Sequence, residues 1–319
     1  MSWTRVGIYI GGSLGIFLVF FTAGGVLTYI FRKLFADFGQ RWGPNRAGPF
    51  GILQFVADGA KLITKEDIIP ARVEQWGFRL APYLVFVPAV IALSPIPFGR
   101  GLLLTDVRVG LILIFALAAL APLGEIVAGW ASNNKYSMLG GLRAAAMDVA
   151  YEIPLLISAV AVIMLAGSTN TKDIVEGQQG LWYAVYQPLG LFIFLVTMIG
   201  KIGVIPFDLP EAESELVAGY VTEYSGMRFG FFFVALFANV FFISALTVTL
   251  YFGGWQGPWL PGIVWFAIKS TALMFLVFWI WNSLPRVRID QFLEINWKVL
   301  FPLSLINLLI TAVIVGVIG

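Results

Sequence analysis

The chain has 319 residues, of which 59% are hydrophobic and only 12% charged, with a formal net charge of +2. That balance excludes an ordinary soluble domain and fits repeated crossings of a bilayer. Cysteine and histidine are both absent, which excludes disulfides and Cys- or His-ligated zinc, iron–sulfur and haem sites in this chain, and leaves proton chemistry to Asp, Glu, Lys, Tyr and water.

Eight apolar runs, at about 7–31, 78–98, 109–131, 144–167, 182–203, 229–252, 261–284 and 298–318, are predicted to span the membrane. Backbone groups in hydrocarbon must bond within their own segment, so these spans are read as helices. The fold expected is an all-α polytopic membrane protein, a single transmembrane domain over 1–319. The first run has only Arg5 ahead of it and no small-residue cleavage site, so no cleavable signal is expected. Trp182, Trp255 and Trp297 near span ends suit the membrane interface.

Lys and Arg concentrate on one side. The first loop carries Arg32, Lys33, Arg41, Arg46, Lys61, Lys65, Arg72 and Arg79, and later odd loops add Lys135, Arg143, Arg228, Arg286, Arg288 and Lys298. The even loops have little beyond Arg100, Arg108 and Lys172. This predicts cytoplasmic odd loops and both termini outside.

Within the first loop, GPNRAGP over Gly43 to Pro49 cannot be helical throughout. Phe50 to Lys65 follows with helical spacing, placing Ile52, Phe55, Val56, Gly59 and Ile63 opposite Asp58, Lys61 and Lys65, an amphipathic helix. Farther on, Glu125, Asp148, Glu152, Lys201 and Lys269 fall inside spans. A charge at mid-membrane costs roughly 2.5–3.5 kcal/mol on insertion scales, so such groups are seldom idle. Asp148 and Glu152 share a helix face, and with Glu125 they could form a proton path; pairing or snorkelling of lysines is the alternative, favoured for Lys269. GGLRAAA from Gly140 reads as close helix packing. No phosphate-binding glycine loop is present.

The densest charge lies in PFDLPEAESELVAGYVTEYSGM, Pro206 to Met227, with Asp208, Glu211, Glu213, Glu215 and Glu223. A helix starting at Glu211 would put Asp208, Glu211 and Glu215 on one face. Such a run is suited either to proton handling or to plain solvation.

Taken together, several ordered motifs resemble one family over nearly the whole chain. They are GPNRAGPFGILQ with Ala57–Asp58 and KLITKE; GWASNNKY with Arg143 and YEI from Tyr151; PFDLPEAESELVAGY with TEYSGM; FGGW from Phe252; and RVRIDQ from Arg286. The family is that of the protein at the heel of the membrane arm of respiratory complex I. The resemblance implies a non-redox component of a proton-translocating oxidoreductase. It implies a lipid-acceptor chamber touched by Arg32, Arg46, Asp58, Arg143, Arg286 and Arg288. It further implies a proton path through Glu125, Asp148, Glu152, Asp208, Glu211, Glu213, Glu215 and Glu223. Lipid quinone (menaquinone, plastoquinone or ubiquinone) or methanophenazine would be substrate, and iron–sulfur clusters would belong to partners. Partners implied are the iron–sulfur and hydrophilic-arm subunits, small membrane-arm and antiporter-like subunits, and lipids, with no nucleic acid.

Three departures accompany the resemblance. Phe31 stands where the NADH-type enzymes usually carry an acidic residue, Lys201 to Val204 stand for ETNR, and Ala235–Leu236–Phe237 stand for AEY. They favour an archaeal deazaflavin-dependent branch reducing methanophenazine, or ferredoxin-fed or menaquinone-using relatives. The competing classes are a membrane subunit of an energy-converting hydrogenase and a stand-alone ion-coupled transporter. Polar residues crowd the loops rather than the midplane, which argues against the transporter.

Overall fold

The computed structural model describes residues 3–318, with the side chains of 3–10, 16, 213 and 318 outside that description. Among the described residues the regular structure is helical, apart from one isolated bridge between Gly99 and Leu102. Seven helices are long and apolar enough to cross a bilayer, and the shorter α9, Pro188–Ile202, lies in the run predicted as the fifth span. The all-α, multi-pass expectation therefore holds.

Helix α1 runs Trp3–Phe38. At 36 residues it exceeds the ~20 needed to span, so its Arg32–Lys33 end extends beyond the apolar segment. A short 3₁₀ turn, Pro49–Gly51, leads into α2, Gln54–Thr64. Helix α3, Gln75–Ala92, follows. The third predicted span is broken into α4, Gly110–Ala118, and α5, Leu120–Ala131. The break has a local cause: Pro122 has no N–H to bond the carbonyl of Ala118.

Helix α6, Lys135–Ala166, starts well before the expected 144. Its start is set by Asn134, whose side chain accepts a hydrogen bond from the Tyr136 amide at 2.9 Å. Arg143 is thereby placed in the helix rather than in a loop. Short helices α7, Thr171–Glu176, and α8, Tyr183–Tyr186, precede α9. Beyond α9 come the one-turn α10, Glu213–Leu216, and a 3₁₀ turn, Gly219–Val221. Helix α11 is Gly226–Tyr251 and α12 is Gly262–Ser283. The last span begins at Ile289 rather than about 298: α13, Ile289–Ile295, passes through a π turn at Asn296–Leu300 into α14, Phe301–Ile318.

Helix α11 is the centre of the bundle. Two-thirds of its most apolar window, 67%, is buried, against 22% for α12, whose outer face shows Ile263, Ile268, Phe275 and Trp279. Helices α1, α3, α9 and α12 surround α11, and α5 and α6 close the same side through α3. Between α5 and α6 the backbones nearly touch: a Cβ on Gly129 would lie 2.5 Å from the Ser137 carbonyl oxygen and 3.0 Å from Gly141 Cα. Hydrocarbon tails are as apolar as leucine, so close van der Waals approach at small residues is what drives such contacts.

Lys269 has the structural role expected for it, through carbonyls rather than a carboxylate. Its ammonium donates to Phe252 O (2.6 Å), Gln256 O (2.7 Å) and Gly254 O (3.2 Å), tying α12 to the preceding loop.

The docked helix α2 corrects the expected amphipathic pattern. Its half-buried stripe is Gln54, Phe55, Asp58, Gly59 and Leu62, while Ile52, Val56 and Ile63 are exposed. Phe55 covers Gly25 of α1 and Leu62 covers Gly230 of α11. Asp58, expected on the outer polar face, points inward because Arg32 of α1 supplies its partner.

Candidate functional site

The acidic run does not form one helix. Pro206 to Ala212 is irregular, with a cis Ile205–Pro206 bond, and only Glu213–Leu216 makes a helical turn. The expectation of one shared face for Asp208, Glu211 and Glu215 therefore fails. Instead each described carboxylate bonds a different element. Asp208 Oδ2 accepts from Arg286 Nη2 at 2.7 Å. Glu215 Oε2 accepts from Arg143 Nη1 of α6 at 2.5 Å. Glu223 Oε1 accepts from Asn134 Nδ2 at 2.6 Å. Glu211 Oε1 accepts from Tyr220 Oη at 2.8 Å. The Glu213 carboxylate lies outside the described residues.

Irregular backbone at this depth needs enforced geometry. Gly219 has φ +57, and its Cα sits so near Pro210 that a Cβ would lie 1.7 Å from the Pro210 carbonyl oxygen. Gly140 of α6 meets the same turn from the other side, where a Cβ would be 2.6 Å from the Tyr220 amide nitrogen. Val287 N donates to Pro206 O at 3.0 Å, joining the α12–α13 connection to the start of the run. The acidic loop is thus clamped between α6 and the residues after α12.

Arg286 is the most sheltered of the clamps. Its pair with Asp208 leaves 24% and 19% of the two side chains exposed, whereas Glu215 in the Arg143 pair is 44% exposed. Exposed pairs contribute little, so the Arg286 pair carries more of the anchoring. Arg286 also donates through Nη1 to Ser214 Oγ at 3.0 Å. A lysine offers a single point charge and cannot serve both acceptors in that planar geometry. Arg286→Lys should weaken the clamp by about 1 kcal/mol and lower acceptor reduction by the assembled complex several-fold, measured as steady-state turnover; an unchanged rate would mean that the two-acceptor geometry is unimportant.

Of the other residues singled out from sequence, Arg32 pairs with Asp58 at 2.5 Å and joins α1 to α2. Arg46 is exposed in the first loop. Arg288 pairs with Asp290, its near neighbour, on the surface at 2.7 Å. Neither Arg46 nor Arg288 is drawn into the loop network. Asp67 and Arg228 form a further pair at 3.0 Å that residue order does not signal. Tyr220 and Asn134 gave no signal either, although both lie inside quoted motifs; only their spatial partners reveal them.

Beneath the loop is a cavity of about 50 Å³ lined by Glu125, Tyr151, Lys201, Glu211, Tyr220 and Asn239 among apolar neighbours. A water needs about 10–15 Å³ of such space, so the cavity can hold a short file of waters. Glu125 is within Coulombic reach of Glu211 and Asp148. Asp148 and Glu152 sit half-buried on α6 without lining the cavity. Burial, and then the nearby Glu125 and Glu211 charges, push the Tyr220 hydroxyl well above its ordinary value, so it remains a proton-bearing donor to Glu211.

The family described as NADH dehydrogenase matches residues 12–312. The chain belongs to that family. It is 47% identical over 305 residues, covering 93% of each chain, to an NADH-quinone oxidoreductase H subunit of Geobacter metallireducens. It is 45% identical over 320 residues, 98% of this chain and 96% of the relative, to the H subunit of the same enzyme from Anoxybacillus flavithermus. An H subunit from Rhodopseudomonas palustris is 44% identical over 303 residues, 95% of each.

Measured against the family motifs, the three departures fall in two places. Phe31 and Phe237 touch each other, with ring centroids 5.5 Å apart, and Phe31 lies 4.2 Å from the Trp281 ring. An aromatic cluster joins α1, α11 and α12 there. Lys201 and Leu236 both line the cavity. The sites read as changed charges are thus spatial neighbours in pairs, and each pair is self-consistent.

Proposed function

We propose that this chain is the membrane-arm heel component of a redox-driven proton pump, as its relatives' names imply for them. In this reading the Arg-clamped acidic loop forms part of the chamber where a lipid quinone is reduced by a partner's iron–sulfur cluster. The cavity below carries the resulting protonation change towards Glu125, Asp148 and Glu152. Hydrophilic-arm, antiporter-like and small membrane-arm subunits are the partners, and the bacterial relatives weight the acceptor towards a quinone rather than methanophenazine. The loop side is cytoplasmic and both termini are external, as the Lys and Arg bias favours.

The observation that carries this reading is the loop itself. Its carboxylates are held by Arg143, Arg286, Asn134 and Tyr220, and one of them, Glu211, both faces the cavity and belongs to the loop. Adding electrons to a quinone brings negative charge and demands protons. Either change acts differently on a paired and an unpaired carboxylate, which is the differential interaction that coupling requires. Reaction energy can therefore be transmitted by rearranged ion pairs without any redox group in this chain.

Affinity purification of the tagged chain from its native membrane tests the reading. Iron–sulfur subunits and an extractable lipid quinone should accompany it, and donor oxidation in proteoliposomes should drive proton movement. A chain that purifies alone and stable, without redox partners, would overturn it.

A further inference from the structure

Lys201 is the last charged residue of α9, and its side chain lines the cavity beneath the acidic loop. The titratable groups around it are Glu125 from α5, Tyr151 from α6, and Glu211 and Tyr220 from the loop, all lining the cavity, with Asp148 and Glu152 on α6 within Coulombic reach. Helices α3 and α11 contribute no titratable side chain to the cavity; α11 contributes Asn239.

Two roles are open to such a lysine: a fixed counter-charge, or a group that gives up and regains a proton. The ion pairs of the molecule separate them. Arg32, Arg143, Arg228 and Arg286 each contact a carboxylate at 2.5–3.0 Å. Lys201 forms no ion pair among the described residues; its ammonium lies 5.4 Å from the centre of the Tyr151 ring. A counter-charge optimised for static stabilisation would close on its carboxylate, because Coulomb attraction in a poorly solvated site rises steeply with approach. Instead a flexible four-carbon stem places three rotatable N–H donors at a space that accepts water.

Resting on the function proposed above, we infer that Lys201 is a proton-carrying residue of this cavity, exchanging a proton with Glu211 on the loop side and Glu125 on the membrane side. In the step, an N–H bond of the ammonium breaks and an O–H bond forms on a carboxylate, directly or through cavity water. The neutral amine then takes a proton from the opposite carboxylate, so charge and atoms balance over the cycle. Tyr220 is not the carrier, since its proton is held by burial and already donated to Glu211.

Arginine keeps the charge but cannot release a proton in a protein, so Lys201→Arg separates the roles. The experiment uses the assembled complex in proteoliposomes, with electron transfer measured in the presence of an uncoupler and proton translocation by a pH-sensitive dye. Lys201→Arg and Lys201→Met should both assemble, keep uncoupled electron transfer within about threefold, and lose at least tenfold in translocation, a carrier contributing roughly 10²–10⁴ at most. Wild-type translocation in the arginine variant would reduce Lys201 to a counter-charge and overturn the proposal, as would wild-type translocation in the methionine variant. Should the arginine variant not assemble, Lys201→His decides. An exchangeable group titrating near pH 6.5 should restore part of the translocation with its pH profile moved to lower pH, and an unmoved profile overturns the proposal. A wild-type complex that oxidises its donor but moves no protons would instead overturn the proposed function, and this inference with it.

Discussion

Gly219→Ala should lower donor-driven reduction of the lipid acceptor by about 100-fold. The new Cβ would lie 1.7 Å from the Pro210 carbonyl oxygen, at a residue whose φ is already +57. Both objections concern backbone, so no rotamer change relieves them. Left-handed strain and the displaced strand of loop together cost about 3 kcal/mol, and the loop would leave Arg286 and Arg143. Gly140→Ala attacks the same turn from α6, where the Cβ would be 2.6 Å from Tyr220 N, and should reproduce the phenotype. Turnover of the purified complex, read beside subunit stoichiometry, checks both. Wild-type turnover in either variant would mean that the clamped loop geometry is not required.

Glu211→Gln should give a different failure. Glutamine keeps the shape and an oxygen that can accept from Tyr220 Oη, now 2.8 Å from Glu211 Oε1. It removes the one carboxylate that joins the loop to the cavity. Assembly should survive and uncoupled electron transfer should stay within about threefold, while proton translocation falls at least tenfold, as for loss of a positioned proton-transfer group. Measuring protons moved per electron in proteoliposomes decides it. An unchanged ratio would exclude Glu211 from the path. The contrast with Gly219→Ala is useful: one variant breaks the scaffold and both activities, the other breaks only coupling.

Coupling of this kind turns on how loosely the charges are fixed. Asp58, Asp208 and Glu215 are each held by an arginine at 2.5–2.7 Å. A protonation change at any of them weakens one clamp and leaves a guanidinium in need of a partner. The cavity groups differ, since Lys201 has room and no fixed ion pair among the described residues. A chain of clamps ending in a mobile amine can convert a change at the loop into a proton moved below it.

Much of this was legible from residue order. Hydropathy is summed along the chain, so the apolar runs announced an all-α, multi-pass protein and located each crossing to within a turn or two in most cases. The motifs containing Arg143, Asp208 and Arg286 pointed to the family and to the loops that matter. Helix ends were misjudged where charges sit inside a helix that outruns the bilayer: Arg143 looked like loop, yet Asn134 starts α6 ahead of it.

What only the tertiary structure decided is who faces whom. The acidic run reads as one helical face, but its partners lie 72 residues away for Arg143 and 78 for Arg286. Those contacts depend on helix rotation and on backbone approach at Gly140 and Gly219, neither of which leaves a periodic trace. Asp58 turned inward because Arg32 was waiting there, against the amphipathic pattern of its own helix. Lys201 and Leu236, far apart in the chain, became walls of one cavity. Local composition sets which segments leave water; long-range packing sets which charges meet inside.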